Sequence, residues 1–228
     1  MTQPNGFGMR NKKNVIEVIL FDLGNVILPF NNYQIAEKLS RLSKKKEFQD
    51  PTKIFSYLFD RQDGAINHFD MGKVSPSGFF QSVKKHLDLP ISFEEFIPIW
   101  TEIFIEDREV SDIILSLKGR QRLGLLSNTD PLHFDHILST FPIVRVFEKY
   151  ILSYEVGFKK PHVRIFQEAI RWASVEPRKI LFIDDTKDHI EVAASLGMQG
   201  LHFRSAHQLK DELPIRLNFE KRGGLKYG

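Results

Sequence analysis

The sequence contains no cysteine. Disulfide bonds, thiolate metal sites and cysteine nucleophiles are therefore excluded, which removes several classes of enzyme at once. The absence of cysteine also agrees with a reducing compartment. No stretch approaches the roughly 18 consecutive apolar residues that a membrane-spanning helix requires, and the N-terminus shows no apolar segment typical of a secretory signal. We therefore predict a cytoplasmic protein that does not enter a membrane.

An excess of one sign of charge is also missing. The 228 residues carry a formal net charge of +3, and acidic and basic residues are interspersed along the chain. The basic run at residues 44–46 has no interleaved aromatic residues and matches no nucleic-acid motif, which favours a solvated helix end. We therefore predict no nucleic-acid partner. With 42% hydrophobic residues, a chain of this length can bury a sizeable core.

The chain begins with a short polar lead-in and continues as an α/β pattern. Residues 1–14 are polar and rich in glycine and asparagine, and we expect them to be disordered. After them, short apolar runs alternate with single helices, and each run is typical of a buried strand. The alternation predicts βαβ units with right-handed crossovers, and hence a doubly wound parallel sheet. The predicted strands are EVILF before Asp22, Arg122–Leu126, Tyr150–Ser153, Ile180–Ile183 and Gly200–Phe203.

A helical pattern interrupts this alternation after the first strand. The segment YQIAEKLSRL has apolar residues at helical spacing, and Ser92 with Glu95 forms a capping box before FIPIW. We predict a helical domain of residues 31–106, inserted into a core domain of residues 15–30 and 107–228. Five residues of the insert either face a substrate or, as is commoner for aromatic residues, form the insert's own core: Tyr33, His68, Phe69, Lys73 and Trp100.

Polar side chains follow the ends of three predicted strands. Ligands of open parallel sheets bind at the carboxyl ends of the strands, so polar residues at these ends have more functional weight than the same residues elsewhere. The residues are Asp22 after the first strand, Ser127 and Asn128 after the second, and the pair Asp184 and Asp185 after the fourth.

These carboxylates, together with Lys160 just before a predicted helix, suit one chemistry. Converging carboxylates repel each other, and a hard divalent cation such as magnesium would relieve that repulsion. A phosphate group would then bind beside Ser127 and Lys160, while Asp22 attacks phosphorus to give an acyl-phosphate. The pattern indicates metal-assisted phosphoryl transfer.

Purely structural explanations exist for the same residues. Ser127 and Asn128 are common helix-capping residues. Either Lys159 or Lys160 is explained equally well as a surface lysine before a helix that starts with proline. Two adjacent aspartates favour a helix N-terminus, yet at a buried strand end they are costly without a cation.

Four motifs resemble those of the haloacid dehalogenase superfamily. FDLGNVI resembles its first motif, LLSNT its second, GFKKPHVRIF its third and LFIDDTKDHIEVAASLGM its fourth. They follow the family's order over roughly Val18 to Phe203, with the helical segment where the family inserts its cap domain. The resemblance implies a Rossmann-like core with a helical cap, a magnesium cofactor and a small phosphorylated metabolite as substrate.

The resemblance also implies roles for individual residues at the metal. Asp22 is the nucleophile and a metal ligand, and the backbone carbonyl of Gly24 is another ligand. Asp185 matches the metal ligand of the fourth motif best, and Asp184 is its neighbour or a second ligand.

Three further residues are assigned to the phosphate by the same resemblance. Ser127 and Asn128 contact the phosphate, and Lys160 orients the phosphate and the nucleophile, with the family's register favouring it over Lys159.

One position departs from the family pattern. Phosphatases of the family usually carry a second aspartate two residues after the nucleophile, as general acid and base, but this chain has Gly24 there. Such help is typically worth about 10² to 10⁴ in rate. Either another group takes this role, or the substrate has a leaving group that needs less protonation, or turnover is slow. Sugar 1-phosphates and acyl phosphates have better leaving groups than alkyl phosphates, so we favour a sugar phosphate such as glucose 1-phosphate. The FDLGNV sequence also resembles that of bacterial glucose-1-phosphate phosphatases in the superfamily.

Three alternatives remain open at the level of the sequence. A 2-haloacid dehalogenase needs no general acid, but it needs no cation either, which leaves the Asp184–Asp185 pair unexplained. A weakly catalytic protein that binds a phosphorylated ligand would retain the fold and magnesium. A phosphomutase is a third alternative, although mutases also rely on the residue missing at position 24. The oligomeric state is not predicted.

Overall fold

Five short strands form a single parallel sheet in the computed structural model, which describes residues 15–217. The strands are β1 (Val18–Phe21), β2 (Arg122–Ser127), β3 (Lys149–Leu152), β4 (Ile180–Asp184) and β5 (Gln199–His202). Their order is β3-β2-β1-β4-β5, and each neighbouring pair is parallel. The strand order reverses at β1, which is where doubly wound sheets bind ligands. The predicted fold class is confirmed, and the lead-in predicted at residues 1–14 lies outside the described residues.

A helical segment separates β1 from β2 in the chain. Its helices pack their apolar faces together in a cluster of their own, in which Phe69 and Trp100 are fully buried. These two aromatic residues therefore belong to the core of the insert. The capping box of Ser92 and Glu95 is present as predicted. The helices are α1 (Tyr33–Leu42), α2 (Pro51–Phe59), α3 (Ile66–Asp70), α4 (Pro76–Leu87) and α5 (Phe93–Thr101).

The central strands β1 and β4 are buried on both faces because helices cover both faces of the sheet. Ile19 and Phe21 point into one helical layer, and Val18 and Leu20 point into the other. The first layer comprises α6 (Arg108–Leu117), α7 (Pro131–Thr140) and the last described helix, α11 (Ala206–Leu217). After the short α8 (Ser153–Val156), helices α9 (Val163–Ala173) and α10 (Lys187–Ser195) form the second layer.

The two chain segments that join the insert to the sheet run side by side. Phe30 and Phe104 form an isolated antiparallel bridge, and their ring centroids are 5.5 Å apart. The amide of Ile105 donates to the carbonyl of Pro29 at 2.9 Å. These contacts fix where the insert leaves and rejoins the sheet, directly beside the end of β1.

A glycine brings the insert close to the helix after β3. Gly72 has a φ of +66°, and a Cβ at this position would lie 2.1 Å from the carbonyl oxygen of Tyr154. Only glycine fits both this backbone conformation and this approach. The end of α3 is therefore held against α8.

Among residues 15–217, no helix has the length and apolar character needed to cross a membrane.

Candidate active site

A buried lysine joins the ends of three adjacent strands. Lys160 is 2% exposed, and its Nζ lies 2.8 Å from Oδ1 of Asp22 and 2.7 Å from Oδ2 of Asp184. The ammonium also donates to the carbonyl of Leu126 at 3.0 Å. Because β1, β2 and β4 are neighbours and parallel, their carboxyl ends present these three oxygens to one point. The structure thus brings together three residues that the sequence predicted for the site, namely Asp22, Lys160 and Asp184.

Asn128 fixes the backbone of Lys160. Its Oδ1 accepts from the lysine amide at 2.7 Å, and its Nδ2 donates to the lysine carbonyl at 2.9 Å. Ser127, 2% exposed, lines the adjoining cavity. Neither residue caps α7, because Asp130 is its N-cap and accepts from the amide of His133. The capping explanation is therefore wrong for both, and the predicted phosphate contacts stay predictions.

Two carboxylates share the Lys160 ammonium unequally. Burial acts to raise the pKa of Asp184, but Lys160 and His189 outweigh it and hold that pKa well below its usual range. Burial raises the pKa of Asp22 to about 8, with Asp184 and Asp185 adding to the effect and Lys160 opposing it. Burial acts to lower the pKa of Lys160, but its two carboxylate partners raise it. Asp184 and Lys160 therefore form the ion pair, and Asp22 is the carboxylate that needs a further positive charge.

The acidic residues meet the requirements of a hard cation. Ligand atoms of Asp22, Asp184 and His189 lie within 4.8 Å of one another. The His189 Nδ1 is 3.0 Å from both carboxylate oxygens of Asp184. The sequence favoured Asp185 over Asp184 as the metal ligand, but the Asp185 carboxylate is half-buried and accepts from the hydroxyl of Thr186 at 3.3 Å. Asp22 and Asp184 face Lys160, and Asp185 is near enough to raise the pKa of Asp22, so the carboxylate donor set fits magnesium.

Two adjoining cavities open between this cluster and the helical insert. One of about 210 Å³ is lined by Gly24 and Ser127 from the sheet side and by Asp70 from α3. The other, of about 370 Å³, is lined by Lys160 and also by Asp70. Asn128 borders both cavities. A small molecule held beside the strand ends would therefore contact the insert as well.

The place of the missing second aspartate is occupied by an aromatic ring. A Cβ on Gly24 would lie 2.5 Å from Cε1 of Phe30. The Phe30 ring is in turn packed against Phe104. An aspartate at position 24 would therefore require the ring to move.

Several residues of the site were not predicted. Asp70 is 8% exposed, and its Oδ2 lies 3.5 Å from Nζ of Lys159, which also donates to Asn67. Burial raises the pKa of Asp70 to about 7, although Lys159 opposes the shift. A lone aspartate within a helical insert gives no local sequence signal, because only the tertiary fold brings it to the strand ends.

A buried polar network links the insert to α7. Nε1 of Trp100 donates to Oδ2 of Asp130 at 3.1 Å, and the same oxygen is 2.7 Å from Nδ1 of His133. The other ring nitrogen of His133 lies 2.9 Å from the carbonyl of Trp100. Burial acts to lower the pKa of His133, but Asp130 outweighs it and raises that pKa. The network fixes α5 against the N-terminus of α7.

Comparison with known proteins agrees with this architecture. The model of the haloacid dehalogenase-like hydrolases matches residues 16–197, so the chain belongs to that family. The D-ribitol-5-phosphate phosphatase of Bacteroides thetaiotaomicron is 27% identical over 211 residues, which cover 90% of this chain and 100% of that protein.

Two solved structures are similar to this fold. An enzyme of the family from Bacteroides thetaiotaomicron, in complex with magnesium and inorganic phosphate, has a TM-score of 0.73 and 25% identity, covering 83% of this chain and 94% of that one. The L-2-haloacid dehalogenase of Xanthobacter autotrophicus has a TM-score of 0.58 and 14% identity, covering 93% and 85%, and shows the fold alone. The predicted family is confirmed, and the predicted phosphatase class and magnesium cofactor are confirmed at the level of the family.

Proposed function

We propose that this protein is a magnesium-dependent phosphatase that acts on a small phosphorylated sugar or polyol through an aspartyl-phosphate intermediate. The observation that carries the proposal is the buried Lys160, held between Asp22 and Asp184 at the switch point of the sheet. Residues 31–106 serve as the cap in this proposal, and the described residues of the predicted core domain, 15–30 and 107–217, form the catalytic core.

Each residue at the strand ends has a defined task. Asp22 attacks phosphorus, the bond to the leaving oxygen breaks, and an acyl-phosphate forms on the carboxylate. Lys160 neutralises charge on the phosphoryl oxygens and holds the nucleophile in position. Ser127 donates its hydroxyl to the phosphate. The side chain of Asn128 keeps the lysine in place through its two backbone hydrogen bonds.

Magnesium would be held by Asp22, Asp184, the nearby Asp185 and the backbone carbonyl of Gly24. When bound, it supplies positive charge that offsets the carboxylates and the phosphate. His189 orients Asp184 through its ring nitrogen, since magnesium prefers oxygen ligands to imidazole.

The substrate class rests on the cavities and on the relatives. Their volumes of about 210 and 370 Å³ suit a molecule the size of a sugar phosphate, and their walls carry polar groups from both sides. The relative that matches nine-tenths of this chain is named for D-ribitol 5-phosphate. Glucose 1-phosphate remains the substrate that the sequence favours. We also propose a cytoplasmic location and no nucleic-acid partner.

The test is phosphate release from a panel that contains D-ribitol 5-phosphate, glucose 1-phosphate and p-nitrophenyl phosphate. The wild-type protein and the Asp22→Asn variant are assayed with magnesium and with EDTA. Asp63→Asn, an exposed aspartate of the insert, is the matched control. We expect release that requires both magnesium and Asp22 and that the control retains.

Other results would favour the alternatives. Release of halide from 2-chloropropionate that EDTA does not affect would replace the phosphatase with a dehalogenase. Thermal stabilisation by phosphate esters without turnover would identify a protein that only binds them.

A further inference from the structure

The proposed reaction lacks a proton donor on the loop after β1. Gly24 has no side chain, and the ring of Phe30 occupies the space that an aspartate would need there. Alkyl and sugar phosphates still need a proton on the leaving oxygen. The donor must therefore come from another element that borders the same cavity.

Asp70 is a carboxyl group in that position. It ends α3 and is almost fully buried. It lines the cavity that contains Gly24 and Ser127, and it also lines the cavity that contains Lys160. Asp70 therefore borders both cavities from the insert, and residues at the strand ends border the same cavities.

We propose that Asp70, carried by the cap, protonates the leaving oxygen in place of the aspartate that is absent at position 24. This inference rests on the proposed function. In the first step Asp22 bonds to phosphorus, the bond between phosphorus and the leaving oxygen breaks, and the Asp70 proton passes to that oxygen. In the second step water gives its proton to the Asp70 carboxylate and bonds to phosphorus, and the bond to Asp22 breaks. The products are the alcohol and inorganic phosphate, and Asp70 is protonated again.

The charges around Asp70 agree with this role. Burial raises the pKa of its carboxyl to about 7, and the negative charge of Asp130 adds to this rise. Lys159 and His133 act in the opposite direction and lower the pKa. A group with this pKa is present in both protonation states near neutral pH, as an acid that becomes a base requires. Asp130 and His133 belong to the polar network at the start of α7, and Lys159 directly precedes the active-site lysine.

The position of Asp70 is fixed by contacts with the core. Lys159 binds both Asp70 and Asn67, so α3 is tied to the segment that contains Lys160. Gly72 packs against the backbone of α8 immediately afterwards. A proton donor must be held within hydrogen-bond reach of the leaving oxygen, and these contacts hold its helix beside the site.

The experiment compares leaving groups in the variant Asp70→Asn. D-ribitol 5-phosphate needs a protonated leaving oxygen, and its turnover should fall about 10²- to 10⁴-fold. p-Nitrophenolate leaves without a proton, so the first step with p-nitrophenyl phosphate should remain fast while hydrolysis of the acyl-phosphate slows. We therefore expect a burst of p-nitrophenolate that approaches one equivalent per enzyme, and no burst of alcohol. Asp63→Asn should behave as the wild type.

A second variant, Lys159→Gln, separates proton transfer from a structural role. It removes a positive charge that lowers the pKa of Asp70, so the alkaline limb of kcat/KM against pH should move to higher pH. The inference is overturned if Asp70→Asn lowers the turnover of both substrates equally without a burst, or if it lowers the turnover of neither. It is also overturned if the alkaline limb of Lys159→Gln stays where it is in the wild type. Absence of phosphatase activity in the wild-type protein would instead refute the proposed function itself.

Discussion

Replacing Lys160 with methionine removes the ammonium that lies 2.8 Å from Asp22 and 2.7 Å from Asp184. Methionine fills a similar volume, so the main effect is that two buried carboxylates lose their shared cation. Breaking a buried ion pair by removing one partner costs about 3–5 kcal/mol. Because domains of ordinary stability unfold with about 5–15 kcal/mol, we expect a large part of the stability to be lost at neutral pH without magnesium.

The loss of stability should depend on pH in a defined direction. Burial raises the pKa of Asp22, and removing Lys160 takes away the largest of the effects that lower the pKa of Asp184, so we expect both folded-state pKa values to rise in the variant. A folded-state pKa above the unfolded one means that the folded protein binds more protons, so stability falls as pH rises. The deficit of Lys160→Met relative to the wild type should therefore be smaller at pH 5 than at pH 7.

Urea unfolding followed by circular dichroism, in EDTA at both pH values, measures these differences. Lys179→Met is the control, because it removes an exposed ion pair with Glu17, and such pairs contribute little. Magnesium should restore part of the stability of Lys160→Met by binding the folded state. The reasoning is refuted if Lys160→Met is no less stable than the control at pH 7, or if its deficit grows towards pH 5.

Three further substitutions test other parts of the structure. Asn128→Ala removes two hydrogen bonds to the backbone of Lys160, so we expect the free energy of unfolding in urea to fall by about 1–3 kcal/mol and kcat to fall as well. An unchanged free energy of unfolding would show that these two hydrogen bonds do not stabilise the site. Gly24→Asp should lower the free energy of unfolding by about 1–3 kcal/mol through overpacking against Phe30, and adding Phe30→Ala should relieve that strain. Equal stability of Gly24→Asp and the wild type would contradict this steric explanation. Gly72→Ala combines a positive φ with a backbone clash, so it should lower the thermal midpoint more than Gly119→Ala, whose Cβ meets nothing within 4 Å. The reverse order would show that the contact between Gly72 and α8 does not hold the insert in place.

The centre of the sheet was predictable from the sequence because β1 and β4 are buried on both faces. Runs such as VILF and ILFID are continuously apolar and end in a carboxylate, and this pattern predicts both the strand and the edge of the sheet at which the carboxylate lies. Asp22 and Asp184 converge because β1 and β4 are neighbouring parallel strands, and Lys160 reaches both from the segment between α8 and α9. The choice of Lys160 over Lys159 required the register of the family motif, since both lysines precede the same proline.

The cap side of the site was not predictable in the same way. Asp70 reaches the cavity through the packing of α3 against α8, which depends on contacts between residues far apart in the chain. Asn128 looked like a phosphate contact, but whether its side chain binds phosphate or the lysine backbone is decided by tertiary geometry. The steric conflict between a side chain at position 24 and the ring of Phe30, six residues later, is likewise visible only in the structure.

The most direct test of the account is to identify the residue that becomes phosphorylated. The protein is mixed with substrate and magnesium, quenched in acid and treated with borohydride, which reduces an acyl-phosphate to the alcohol, and the peptides are analysed by mass spectrometry. We predict that Asp22 alone is converted to homoserine, and that Asp22→Asn shows no conversion. Conversion at another aspartate, or phosphate release by the wild type without any reducible intermediate, would contradict the account.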